Sequence, residues 1–208
     1  LNDLVIKNNL KSDFVNINPR WHPKEVEKYL LDKNLDWMQL NGPLPSHDNI
    51  PWDSPNIVFT TLLRKPLERA LSDHDVYMDK YPEIKKDKDY KRWIKENPHF
   101  TDNYLTRWLV GKWCGYEGCG ARGPEKLTDH DLVEAKHKLN KFDILLFEED
   151  LPKGGKKFKE LLGFKTWNIL KKEEEKPHKK ISPKLLKEVK EMNKFDLELY
   201  KYARNRKS

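Results

Sequence analysis

Little in this 208-residue sequence can act as covalent or metallic reinforcement. The two cysteines, Cys114 and Cys119 in "CGYEGC", can close at most one small loop, which excludes a disulfide-built scaffold; two free thiols fit the same spacing. A structural zinc site would need two further ligands, and the nearest imidazoles are His130 and His137. Long apolar runs are missing too. None approaches the about 20 residues that cross a bilayer, and no signal-peptide pattern opens the chain, so a soluble protein without a transmembrane segment is expected. There is no internal repeat and no long linker, and the length suits a single domain over residues 1–208. The first residue is Leu1 rather than Met, from which a processed or truncated product is expected.

Charge and aromatics are present in quantity. Lys and Arg number 41 against 34 Asp and Glu, leaving a net charge of +7 and a pI near 9.1. That balance favours anionic partners, among them nucleotides, acidic glycans, nucleic acid or a membrane surface. Lys and Glu interleaved through the C-terminal third fit solvated helix faces as well. No nucleic-acid-binding motif accompanies the charge, so nucleic acid is the weaker expectation. Aromatic residues make up 11% of the chain, which argues against intrinsic disorder.

Periodicity alternates between helical and strand-like segments. "HPKEVEKYLLDKN" sets Val26, Tyr29 and Leu30 on one helix face, with Pro23 early in the helix. Leu1 to Leu10 reads as the end of a helix, and "NGPLPSHDNIPWDSPN" as a loop. "NIVFTTLLR" is apolar and β-branched without alternation, as in a strand covered on both faces. "KPLERALSDHDVY" then reads as a helix, with Pro66 in its first turn and Leu67, Ala70 and Leu71 inward. The charged segment "DKYPEIKKDKDYKRWIKENPHF" reads as a surface excursion with a short helix, and "TDNYLTRWLVGKW" as a helix with Leu105, Leu109 and Trp108 inward. Thr128 and Asp131 have capping-box spacing at the head of "TDHDLVEAKHKL". "FDILLFEEDL" reads as a second buried strand. "SPKLLKEVKEMNKFDLELYKYA" reads as a closing helix capped by Ser182, with Pro183 at its first position and Leu185, Val189, Met192 and Leu199 at helical spacing. Alternating strands and helices predict the α/β class.

One strand-to-helix junction carries chemistry. Ligands of open parallel sheets sit beyond the carboxyl ends of strands, where the next helix offers its positive N-terminus to an anion. Arg64 stands at such a strand end, and Ser72 is about two helical turns further on. An arginine fork and a hydroxyl there suit one phosphate, although an arginine at a strand end also forms plain surface ion pairs.

"LLRKPLERALSDH" resembles the 3'-phosphate-binding segment of sulfotransferases, in which an Arg and a Ser eight residues later hold the 3'-phosphate of 3'-phosphoadenosine 5'-phosphosulfate (PAPS). "DNYLTRWLVG" is similar to the "N-x-x-T-R-x-L-x-G" segment of the membrane-associated carbohydrate sulfotransferases, the group containing heparan sulfate 2-O-sulfotransferase. "FDILLFEEDL" resembles their strand ending in an acidic pair, and "EMNKFDLELYKYA" their closing "N-x-x-D-x-x-L/F-Y-x-x-A" helix. The four segments occur in family order between Ile57 and Ala203.

The resemblance implies a P-loop-type three-layer domain, a parallel sheet flanked by helices, here with the N-terminal strand and phosphate loop missing. It implies PAPS as cofactor, a carbohydrate or other hydroxyl acceptor, and residence in the Golgi lumen. Arg64 and Ser72 become cofactor-binding candidates. Asn168, Lys171 and Lys172 in "WNILKKEEEKPHKK" occupy the place of a basic loop that folds over the nucleotide, and a solvated linker is their other reading. Arg107 either lines the cleft or ties helix to sheet.

Two family features are lacking. No Gly/Ser/Thr-rich loop with a Lys, of the "K-T-G-G-T-S" kind, occurs anywhere in the sequence. Where the group carries an "H-G-H"-like segment, this chain reads "LNGPLPSHD", which leaves His47 and then His74 as candidates for the base. A sulfotransferase-like subunit without catalysis, serving other protein subunits as a binding or scaffolding piece, is therefore the alternative expectation.

Overall fold

The structure is a computed structural model that describes residues 8–16, 23–41, 50–80, 93, 97–113, 124–167 and 183–206. Among the described residues it is a mixed α/β fold, mostly helical, with two small parallel sheets of two strands each. In chain order the elements begin with β1 (Ser12–Asn16), α1 (Pro23–Asp32) and β2 (Trp37–Asn41). β1 and β2 pair in parallel from Ser12↔Trp37 to Asn16↔Asn41, with α1 as the crossover. Parallel strands need such a crossover because a tight turn cannot return the chain in the same direction.

Neither of these strands is evident in the sequence. "SDFVN" and "WMQLN" are short and mixed in polarity, so their strand state comes from pairing rather than from pattern. The turn before β1 has Asn9 at φ 55°, a left-handed conformation, where Leu1 to Leu10 was expected to end a helix; residues 1–7 lie outside the described ones.

The second sheet joins β3 (Thr60–Leu63) to β4 (Ile144–Phe147), in register from Thr60↔Ile144 to Leu63↔Phe147. β3 is shorter than the apolar run suggests. Leu63 is buried but Leu62 is 43% exposed, so the strand is not covered on both faces as expected. Helix α2 (Pro66–Lys80) follows, then the short α3 (Pro98–Thr101) and α4 (Tyr104–Leu109), α5 (Asp129–Leu139), α6 (Gly155–Leu162), α7 (Pro183–Met192) and α8 (Lys194–Asn205). Between β4 and α6 a 3-10 turn spans Glu148–Lys153.

The main core gathers Leu63, Leu109, Leu132, Ala135, Leu139, Phe142, Leu199 and Ala203 between the β3–β4 pair and helices α4, α5 and α8. A second cluster puts Ile144 and Leu146 of β4 on Phe158 and Phe164, with Trp37 of β2 packed against both phenyl rings. α5 starts as its sequence predicts: Thr128 and Asp131 form a reciprocal capping box. Two expected single helices are each divided. The "TDNYLTRWLVGKW" segment breaks at Asn103, which takes φ 49°, and the closing helix breaks at Asn193. Tertiary bonds, described next, hold both breaks.

Candidate functional site

Asn103 and Asn193 are the N-cap residues of α4 and α8, yet neither caps its own helix through its side chain. The helices cap each other. Asn103 Oδ1 accepts the backbone N–H of Phe195 at 2.8 Å and of Asp196 at 3.1 Å, in the first turn of α8. The Asp196 carboxylate accepts the N–H groups of Leu105 and Thr106, both at 2.8 Å, and the Thr106 hydroxyl at 2.7 Å, in the first turn of α4. Each helix start thus has two of its orphan donors satisfied by the other, and the carboxylate sits where a helix dipole favours it. Asn193 Nδ2 adds bonds to Thr101 O at 2.6 Å and Val189 O at 2.9 Å. Burial pushes the Asp196 carboxyl upward, against the pull of Arg69 and of the bonds from Thr106 and Leu105.

Arg107 belongs to the same region. Its side chain is buried and donates from Nε to Asp102 O at 2.8 Å, from Nη1 to Glu125 O at 2.6 Å and from Nη2 to Asp102 Oδ2 at 2.5 Å. It ties α4 to the turn before it and to the segment entering α5. Its partners are loop backbone and Asp102 rather than the sheet. This joint was not foreseen from sequence. Its signal lay in the two motif patterns, whose polar positions Asn103, Thr106, Arg107, Asn193 and Asp196 are all buried.

The strand mouth is built differently. Because Leu63 and Phe147 are level in the parallel ladder, the residues that follow, Arg64 and Glu148, leave the sheet side by side. Arg64 Nε lies 2.6 Å from Glu148 Oε2, with the two side chains 18% and 24% exposed. Glu148 opens a run of three acids, each met by a different group. Glu149 accepts the Tyr200 hydroxyl and Asp150 pairs with Arg204, both on α8. Phe147 is packed edge-on by Tyr200, with centroids 5.6 Å apart, and the Arg204 guanidinium lies 4.6 Å over its ring. Burial, followed by the Glu149 carboxylate, pushes the Tyr200 hydroxyl well above its ordinary pKa. Arg204 holds Asp150 below the usual carboxylate range.

On the other side of the mouth Lys65 reaches Glu68 at 3.0 Å, and Pro66 opens α2. Ser72 is half-buried on that helix, on the face shared by Arg69 and Asp73 by helical spacing. Arg69 pairs with Asp73 at 2.5 Å, donates to Phe100 O at 2.8 Å and stacks 4.4 Å from the Tyr104 ring centroid. It docks α2 on α3 and α4. Burial pushes the Asp73 carboxyl up, while the charges of Arg69 and Arg64 draw it down, so Arg64 lies within electrostatic reach of the residue beside Ser72.

The remaining candidates are placed in part or not at all. His74 is on α2 by its backbone, but its side chain is outside the described set. His47, Asn168, Lys171 and Lys172 lie outside the described residues, as do Cys114 and Cys119. His130 and His137 are exposed on α5, and among the described residues no group of three His, Cys, Asp or Glu could hold a metal ion. Among the same residues no helix is long and apolar enough to cross a membrane. No family model, no curated protein and no solved structure matches the chain.

Proposed function

We propose that this chain is a single sulfotransferase-like domain of the P-loop type, and that its activity is transfer of a sulfonate group from PAPS to a carbohydrate hydroxyl. The observation that carries the reading is the β3-to-α2 junction, where Arg64 leaves the carboxyl end of a parallel strand pair and Ser72 follows on the helix. A guanidinium at a strand mouth and a nearby hydroxyl match the donors a ribose 3'-phosphate requires. The reciprocal joint lends further support: the polar positions of two motif segments, remote in sequence, bond directly to one another.

In this reading PAPS supplies an activated sulfonyl group. Arg64 and Ser72 hold the 3'-phosphate, and Lys171, Lys172 and Asn168 contribute positive charge and a donor from the basic loop. His47 or His74 takes the proton of the acceptor hydroxyl, a task suited to an imidazole near neutral pH. Positioning and charge neutralisation dominate such transfers, and no metal is needed for the roles assigned here. Residence in the Golgi lumen accompanies the family reading.

Calorimetric titration with adenosine 3',5'-bisphosphate tests the proposal. Binding is expected, with a loss of about 10-fold or more in Arg64→Ala and a smaller loss in Ser72→Ala. Absence of binding overturns the cofactor assignment. A second reading, a non-catalytic subunit, is favoured by "LNGPLPSHD" standing where the group carries an "H-G-H"-like segment. Nucleotide binding without sulfonate transfer to any carbohydrate acceptor would select it.

A further inference from the structure

We infer that Glu148 is a positioning residue for the anion site, holding the Arg64 guanidinium in the orientation that receives a phosphate. The inference rests on the sulfotransferase reading and adds to it a residue to which the resemblance gave no role. Its starting point is the ladder. Leu63 and Phe147 are paired, so the next residue of each strand is delivered to the same rung, and the ion pair is a consequence of register rather than of a chance surface encounter. A slip of one residue would remove it.

The nearest approach is at Nε, on the side edge of the guanidinium, where the carboxylate lies 2.6 Å away as a charge contact and Nε itself makes no hydrogen bond among the described residues. An arginine has five donors in a fixed planar fork, and a carboxylate held against one edge limits where the whole fork can lie. The bracket that carries Glu148 is itself held. Its neighbours Glu149 and Asp150 are bound by Tyr200 and Arg204, so α8 secures the acidic turn and the turn secures the arginine. Pre-ordering a long side chain before the ligand arrives lowers the entropy lost on binding.

A carboxylate beside an anion site could instead act as a competitor, occupying the arginine until displaced. The two roles predict opposite signs for removal of Glu148. The side-edge contact and the braced turn argue for positioning.

The test measures binding of adenosine 3',5'-bisphosphate and of adenosine 5'-monophosphate, which lacks the 3'-phosphate, to the wild-type chain and to Glu148→Ala, Glu148→Gln, Arg64→Ala and the Glu148→Ala/Arg64→Ala double variant. Thermal melts of each variant accompany the titrations. Glu148→Ala is expected to weaken the bisphosphate about 10-fold and the monophosphate by less than about twofold. Glu148→Gln, which keeps the length of the side chain but not the charge that makes the contact, falls close to Glu148→Ala. The double variant binds no more weakly than Arg64→Ala alone, because Glu148 acts through that arginine.

Tighter bisphosphate binding in Glu148→Ala would overturn the inference in favour of competition. Unchanged binding, equal losses for both nucleotides, or additive losses in the double variant would overturn it too. A wild-type chain that binds neither nucleotide would instead remove the sulfotransferase reading, and this inference with it.

Discussion

The two polar constellations of this protein, the reciprocal joint between α4 and α8 and the mouth of the β3–β4 pair, use similar residues for opposite ends. In the joint, Asp196 and Asn193 are fully buried, Asn103 nearly so, and the carboxylate meets backbone donors and a hydroxyl. At the mouth, the groups remain partly exposed and meet as two ion pairs, Arg64 with Glu148 and Arg204 with Asp150. Buried groups of the first kind are costly to orphan, whereas exposed pairs of the second kind contribute little to stability. The two constellations thus differ in burial and in the kind of partner each polar group meets.

The sharpest way to break this contrast is Asp196→Ala. It leaves two backbone donors and the Thr106 hydroxyl unpaired, so a loss on the order of 3 kcal/mol or more is expected in urea unfolding. Asp196→Asn, which keeps one acceptor oxygen, should lose roughly half as much. Equal stability of wild type and Asp196→Ala would show that the joint is not the structural element described here.

Arg64→Ala should show the reverse profile. Its unfolding free energy is expected to fall by less than that of Asp196→Ala, on the order of 1–2 kcal/mol, since the pair lost is only 18% and 24% exposed, while bisphosphate binding falls about 10-fold or more. A large drop in stability would move Arg64 into the structural group.

The α5 cap lies between these extremes. Thr128→Ala is expected to cost about 1 kcal/mol. Asp131 is pulled down by Lys112 and Thr128 despite the opposing effect of burial, so its folded pKa lies below its unfolded value near 3.8. A depressed carboxyl contributes stability that is present above the unfolded value and lost as pH falls through the folded one. Denaturant midpoints of wild type and Asp131→Asn should therefore differ at pH 6 and draw together as the pH falls below the unfolded value near 3.8. A difference constant across that range would contradict the assignment. The smallest effect is expected for Lys156→Ala, which removes a pair of 3.9 Å between well-exposed side chains; a change within about 0.5 kcal/mol should appear in the same assay.

Legibility followed the range of the interactions. The capping box of Thr128 and Asp131 was readable because its partners lie within one turn, and the starts of α2 at Pro66 and α7 at Pro183 because the fixed φ of proline suits a first helical position; Ser182, the expected cap of α7, lies outside the described residues. The apolar cores of β3 and β4 were readable from composition, but their ends and the exposure of Leu62 were not. β1 and β2 escaped notice because five mixed residues carry no distinctive pattern. The helix breaks at Asn103 and Asn193 were hidden for another reason: helical periodicity continues across them, and only bonds from the opposite helix make the interruption favourable. At the candidate site, Arg64 and Ser72 could be named from spacing and resemblance, while the pairing of Arg64 with Glu148 required the strand register.

Local order in this chain was therefore set by the sequence alone wherever a residue and its partner are a few positions apart: helix starts, apolar strand cores, the overall balance of charge. Which helix caps which, how β3 and β4 align, and whether an arginine is buried like Arg107 or presented at a strand mouth like Arg64 were decided only in three dimensions. The reason is that backbone donors and guanidinium groups accept any suitable oxygen, and chain folding determines which one comes within 3 Å, a hydrogen bond's reach.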